Sequence, residues 1–344
     1  MIRVLVAEDS ATMRELLVAV LTSDPEMVVA GEAKNGLEAV EMAKRLRPDV
    51  VVMDVRMPVM DGLEATKRIM VEAPVPIVIV SGSFDVRDIE VSMNALRLGA
   101  LTVLPKPPGP ESPAFAEAVR QFVATVKAMS QVKVVRRWPE RTVTSPEAAR
   151  IAASRAGVAR VVAIAASTGG PAAMHRLFSG LPGDLAVPVL VVQHMAPGFI
   201  GGFAAWLNSV SPLRVKVADD GEPLGPGVVY LAPDGHHLGV AGQAVVRLSS
   251  DSPLEGFRPS GTHLFRSVGA SYGPSAIALI LTGMGEDGVA GLRAVREAGG
   301  RVYAQDEASS VVFGMPRKAV EAGLVDAVLS PEDMAARVME EVRQ

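Results

Sequence analysis

The sequence predicts an α/β protein with two parallel-sheet domains, and three observations carry that prediction. From residue 1 to about 125, short β-branched runs alternate with longer segments of helical periodicity. A mixed-charge stretch with two prolines follows over 126–157, and a second βα series fills 158–344. Strand and helix in strict alternation imply parallel strands covered by helices on both faces. A length of 344 residues with 49% apolar residues suits two or three domains of ~150 residues, each with its own core.

In the first half the strand candidates are "RVLVA" (3–7), "MVVAGE" (27–32), "DVVVMD" (49–54), "PIVIVS" (76–81) and "LTVLP" (101–105). Between them, segments such as "ATMRELLVAVL" and "GLEAVEMAKRL" repeat apolar residues three and four apart, which is helical spacing. The stretch "SQVKVVRRWPERTVTSPEAARIAASRAG" has no sustained strand pattern and reads as a linker, with Lys133, Arg136, Arg137 and Arg141 as a solvated basic cluster. Beyond it, "RVVAIAAS", "VPVLVVQH", "GVVYLAP", "SAIALILTGM" and "GRVYAQD" are the strands of a doubly wound, mostly parallel sheet.

Composition excludes several function classes. A formal charge of −4 gives no basic footprint for nucleic acid. The apolar runs are too short for a membrane span and no signal peptide precedes the first strand, so a cytoplasmic location is expected. With no cysteine there is no thiol nucleophile, and covalent catalysis must use another group.

Strand ends carry the chemistry, because open parallel sheets bind ligands at the carboxyl edge. In the first half that edge collects Glu8 and Asp9, Asp54, Ser81 and Lys106. Clustered carboxylates repel one another unless a cation neutralises them, and a hard oxygen-preferring ion such as Mg²⁺ suits the site. A lysine and a hydroxyl beside them would hold a phosphoryl group received by Asp54.

The second half brings Ser167, His194 and Asp287 to its own edge, the ingredients of acyl transfer. Turns at 169–170 and 283–285 offer N–H groups to an oxyanion. Other readings stay open on spacing alone. "STGGPAAMH" lacks the lysine of a phosphate loop, and a plain turn before a helix would also explain its glycines. Glu286 and Asp306 compete with Asp287 as the acid. Of the histidines, His175 and His263 lie in helical patterns and His236 and His237 in a turn, leaving His194 directly after a buried-strand run.

"VAEDSATMRELL", "MDVRMPVMDGLEA", "IVIVSG" and "LPKP" resemble the bacterial two-component receiver domain. That resemblance implies a flavodoxin-like five-stranded sheet and Asp54 as phosphoacceptor. It also implies Glu8, Asp9, Asp54 and the Arg56 backbone carbonyl as Mg²⁺ ligands, with Ser81 and Lys106 as phosphate sensors. Val103 stands where many receivers carry an aromatic switch residue. "ASTGGP", "VVQHMAPGF", "FRPSGTHLFRSV" and "LTGMGEDGVAGL" resemble the catalytic domain of the chemotaxis protein-glutamate methylesterases. This second resemblance implies a Ser167, His194, Asp287 triad, with Thr168 beside the nucleophile and the Met284 N–H as oxyanion donor. Arg258 and Ser260 would line the substrate entrance. The family usually has glycine where Ala165 stands, and a methyl there is expected to crowd the turn.

Together these resemblances imply a phosphorylation-activated serine hydrolase that demethylates glutamate methyl esters on chemoreceptor cytoplasmic helices, releases methanol, and deamidates receptor glutamines. A chemotaxis histidine kinase would be the phosphodonor, and the receiver would inhibit the catalytic domain until Asp54 is phosphorylated. Mg²⁺ is expected in the receiver and no cofactor in the catalytic domain. Two other classes remain for the C-terminal half: a binding module indifferent to Ser167→Ala, and a DNA-binding output, which would need a basic recognition helix that the sequence does not offer.

Overall fold

The computed structural model describes residues 1–82, 86–132 and 158–342. Most of the stretch read as a linker, including its basic cluster, falls outside these residues. The chain divides into two compact units, Met1–Arg141 and Thr142–Gln344.

In the first unit, strands β1 (Ile2–Ala7), β2 (Met27–Ala33), β3 (Val50–Asp54), β4 (Ile77–Ser81) and β5 (Thr102–Pro105) form a parallel sheet in the order β2-β1-β3-β4-β5. This is the flavodoxin-like order the sequence implied. Val4 to Ala7, Val50 to Met53 and Ile77 to Val80 are fully buried, so these strands read as continuous apolar runs rather than alternating ones. Helices α1 (Ala11–Thr22), α2 (Gly36–Leu46) and α3 (Gly62–Glu72) begin on Ser10, Asn35 and Asp61, whose side chains accept from the N–H of the third residue onward. Helices α4 (Val86–Leu98) and α5 (Phe115–Met129) complete the unit. With Val126 and Met129 buried, α5 carries the fold past the boundary expected at 125.

The second unit is built on a seven-stranded sheet. Its strands are β6 (Val161–Ala166), β7 (Val189–Gln193), β8 (Arg214–Val217), β9 (Val228–Leu231), β12 (Ala276–Ile280), β13 (Arg301–Gln305) and β14 (Ala327–Leu329). Their order is β14-β13-β12-β6-β7-β9-β8 and every pair is parallel. Strands β10 (His237–Ala241) and β11 (Val245–Ser249) form a separate antiparallel pair. Helices α6 (Gly170–Ser179), α7 (Ile200–Val210), α8 (Gly261–Tyr272), α9 (Val289–Glu297), α10 (Met315–Glu321) and α11 (Pro331–Val342) connect or flank the strands. From β6 the chain winds outward through β7 to one edge, then returns to β12 on the other side of β6. The strand order therefore reverses between β6 and β12, where a doubly wound sheet opens its crevice. Among the described residues, no helix is long and apolar enough to cross a membrane.

Candidate active site

Parallel register brings three strand ends of the second unit together. Ser167 follows β6 and its N–H donates to Thr282 O just beyond β12 (3.0 Å); His194 follows β7 and its N–H donates to Ala166 O (2.9 Å). The Gln193 carboxamide, almost fully buried, ties the two ends: Nε2 donates to Ser167 O (2.9 Å) and to His194 O (2.7 Å). Nothing in the sequence pattern had marked Gln193 beyond its place in a strand.

The imidazole of His194 turns Nε2 toward Asp287, 2.9 Å from Oδ2. Its Nδ1 is buried without a hydrogen-bond partner, so the Ser167–His194 bond is not formed in this structure. Such bonds commonly tighten only when substrate is bound. Asp287 is nearly fully buried at the N-terminus of α8, where helical N–H groups lack intrahelical acceptors. Its Oδ1 accepts from Ser260 Oγ (2.7 Å) and Thr262 N (3.1 Å), and its Oδ2 from Gly261 N (2.7 Å). Burial alone would raise its pKa, but the His194 ring, the Ser260 hydroxyl and the Gly261 amide prevail and hold it at about 2. The carboxylate is therefore ionised and fixed, as a group that orients an imidazole must be.

The competing acids are elsewhere: Glu286 is exposed, and Asp306 accepts from the N–H and hydroxyl of Ser309. Of the other histidines, His237 stacks on His263 at 4.7 Å and His175 lies against Trp206. His236 Nδ1 sits 3.0 Å from Asp234 O.

The turns divide their amides. Gly170 N donates to Ser167 O and Gly283 N to Val312 O, so neither is available to an oxyanion. The N–H groups of Thr168, Gly169 and Met284 have no acceptor among the described residues. Gly169 has φ +83°, and a Cβ there would lie 2.6 Å from Val311 Cβ, so the turn requires glycine. Thr282, fully buried, holds the same turn from behind by donating to Thr168 O (2.9 Å).

Two expectations are corrected. Ser260 does not line an entrance: it is fully buried, caps α8 and bonds Asp287. Arg258, named with it, is exposed and donates to the carbonyls of Ser250 (3.0 Å) and Asp251 (3.1 Å), and these contacts do not contradict a place at the entrance. Nor does Ala165 crowd the turn. It is buried within β6, and its methyl faces Gly261, where an added Cβ would come within 2.7 Å of it. Glycine at 261 makes the room that alanine at 165 takes up.

In the first unit, Glu8, Asp9 and Asp54 can each point a carboxylate oxygen to within 4.8 Å of the others. Lys106 Nζ lies 2.8 Å from Glu8 Oε2 and 2.9 Å from Asp54 Oδ2. Burial raises the pKa of both Glu8 and Asp54 despite the lysine. Burial would lower that of Lys106, but the two carboxylates more than offset it and keep it cationic. Ser81 is buried at the end of β4, and its carbonyl accepts from Lys106 N (2.9 Å). Arg56 follows on the loop after β3. Three carboxylates gathered this closely, two of them buried, are hard oxygen donors that fit a divalent cation such as Mg²⁺.

Both halves of the chain match known protein families. Residues 162–338 match the CheB methylesterase family, and residues 4–119 match the response regulator receiver domain. The protein-glutamate methylesterase/protein-glutamine glutaminase 4 of Myxococcus xanthus is 56% identical over 98% of this chain and 96% of its own length. The corresponding enzyme 3 of Anaeromyxobacter dehalogenans is 54% identical over 98% of each. The crystal structure of the Thermotoga maritima CheB methylesterase catalytic domain, 39% identical, superposes with a TM-score of 0.52 over 53% of this chain and 98% of that one. Matched in both halves and along nearly its whole length, the chain belongs to the CheB methylesterase family and carries a response regulator receiver domain at its N-terminal end.

Proposed function

We propose that this chain hydrolyses γ-glutamyl methyl esters on the cytoplasmic helices of chemoreceptors, and deamidates glutamines there, under control of Asp54 phosphorylation. The observation that carries the reading is the 2.9 Å contact of His194 with a buried, ionised Asp287, one strand away from Ser167. The names of the relatives support the substrate class.

Ser167 Oγ attacks the ester carbonyl while His194 takes its proton. Since Nε2 faces Asp287, the nitrogen that receives the proton is Nδ1. The developing oxyanion is met by the unengaged N–H groups of Thr168, Gly169 and Met284, each such donor contributing about 3 kcal/mol in comparable sites. His194 returns the proton to the leaving methoxide, and methanol departs. Water, deprotonated by the same imidazole, attacks the acyl-enzyme and restores Ser167 with a glutamate carboxylate. A glutamine substrate follows the same path with ammonia as leaving group.

In the receiver, Asp54 accepts a phosphoryl group from the phosphohistidine of a chemotaxis kinase. Glu8, Asp9, Asp54 and the Arg56 carbonyl would hold Mg²⁺, which when bound supplies positive charge to the phosphoryl oxygens. Lys106 exchanges a carboxylate for a phosphoryl oxygen, and the Ser81 hydroxyl takes another. Phosphorylation then relieves inhibition of the Ser167 site by the receiver.

A serine-directed fluorophosphonate tests the chemistry. It should modify Ser167 in the full chain, with modification and loss of methanol release advancing together. Complete modification at a different serine, with full loss of release, would refute the assignment.

A further inference from the structure

The loop before α8 presents an aromatic ring to the active site. Leu254 and Phe257 exchange both backbone hydrogen bonds (3.1 and 2.8 Å) across Glu255 (φ 53°) and Gly256 (φ 87°). Positive φ at both central residues is the type I′ turn, a tight and rigid one. From it the Phe257 ring lies flat on the His194 imidazole, with centroids 4.2 Å apart and planes within 2°. Arg258 anchors the turn through the carbonyls of Ser250 and Asp251, and Ser260 bonds Asp287. The stretch from Phe257 to Ser260 therefore touches both His194 and its carboxylate partner.

We infer that Phe257 is a positioning residue for His194: it fixes the plane of the imidazole and stabilises the positive charge that the ring carries during acyl transfer. The inference rests on the hydrolase reading above. Neutral aromatic rings stack in parallel when offset, and the contact strengthens when one ring becomes cationic, because a cation is attracted to the negative face of the other. The observed stack thus holds the plane of the imidazole at rest and gains attraction when the ring takes up the serine proton. Phe257 is 36% exposed, so its place against the histidine is not a core position.

The test uses the full chain and a synthetic receptor helix carrying a γ-glutamyl methyl ester. Phe257→Leu, which keeps apolar bulk but not the π face, should lower kcat about tenfold while KM changes less than twofold. Phe257→Tyr should restore most of the loss. Substituting 257 with phenylalanines of increasing fluorination should lower kcat stepwise as the ring face loses negative charge; a flat series, or a Leu variant as active as the parent, overturns the inference. In the free protein, the ring protons of His194 should move downfield in Phe257→Leu as the ring current is lost, and unchanged resonances would overturn the stack itself. Ser167→Ala separates the two readings. Methanol release that survives it overturns the hydrolase reading and this inference with it, whereas abolished release with a flat fluorination series overturns the role of Phe257 alone.

Discussion

Ser260 Oγ donates a 2.7 Å hydrogen bond to Asp287 Oδ1, joining the residue that caps α8 to the residue that faces His194. The helix start and the orientation of the imidazole are thereby one structural unit. Ser260→Ala should cost 1–2 kcal/mol of stability, as loss of a cap with a charged partner does, and should lower kcat roughly tenfold by freeing the carboxylate. Thermal unfolding and steady-state kinetics on the same preparation check both.

Asp287 also sets an acid limit. Its pKa falls from an ordinary 3.8 to about 2 in the folded state. A depressed folded pKa gives stability that is present above the unfolded value and is lost as pH falls through the folded one, here from 3.8 toward about 2. The contribution at neutral pH is about 2 kcal/mol. Asp287→Asn should therefore be less stable than the parent at neutral pH, with the gap closing across that window. Denaturant titrations at stepped pH measure it.

In the receiver the signs are opposite. Glu8 and Asp54 have raised pKa values because they are buried, so the first unit loses stability as pH rises through the window between their ordinary and raised values. Asp54→Asn should raise its melting temperature. Lys106→Met should cost about 2 kcal/mol, below the usual figure for a broken buried pair because this lysine retains some solvent access. Mg²⁺ should stabilise the parent but bind more weakly as pH is lowered, when protons compete for the same oxygens. Calorimetric titration at several pH values reads this directly.

A glycine in the nucleophile turn tests the packing behind it. A Cβ on Gly170 would lie 2.0 Å from Gln193 Oε1, the carboxamide that bridges Ser167 and His194. Gly170→Ala must displace that side chain and should lower kcat by at least tenfold, as should Gln193→Leu, which removes the bridge between the two strand ends and leaves the His194 carbonyl without its donor. Comparable losses in both variants, read as kcat with the melting temperature alongside, are the expected outcome.

The parallel strands were legible because burial on both faces writes them as unbroken apolar runs, and Asp54, Ser167 and His194 were legible because each stands where such a run ends. Edge strands β8 and β14 were not, since "RVKV" alternates charged and apolar residues and "AVL" is only three residues long. The roles of Ser260 and Phe257 were hidden for a different reason. Their partners lie well away along the chain, and the pattern around "FRPS" records a turn and a helix start without saying which strand end they face. Gln193 and Thr282 read as ordinary residues near strand ends, since a side chain bonding a carbonyl across a sheet leaves no periodic trace.

The most direct measurement is methanol release from a methylated receptor cytoplasmic fragment, with and without a small-molecule phosphodonor and Mg²⁺, using the intact chain, Ser167→Ala and Asp54→Ala. The expected result is release that requires Ser167 and that the donor raises only when Asp54 is present. Release undiminished in Ser167→Ala would contradict it.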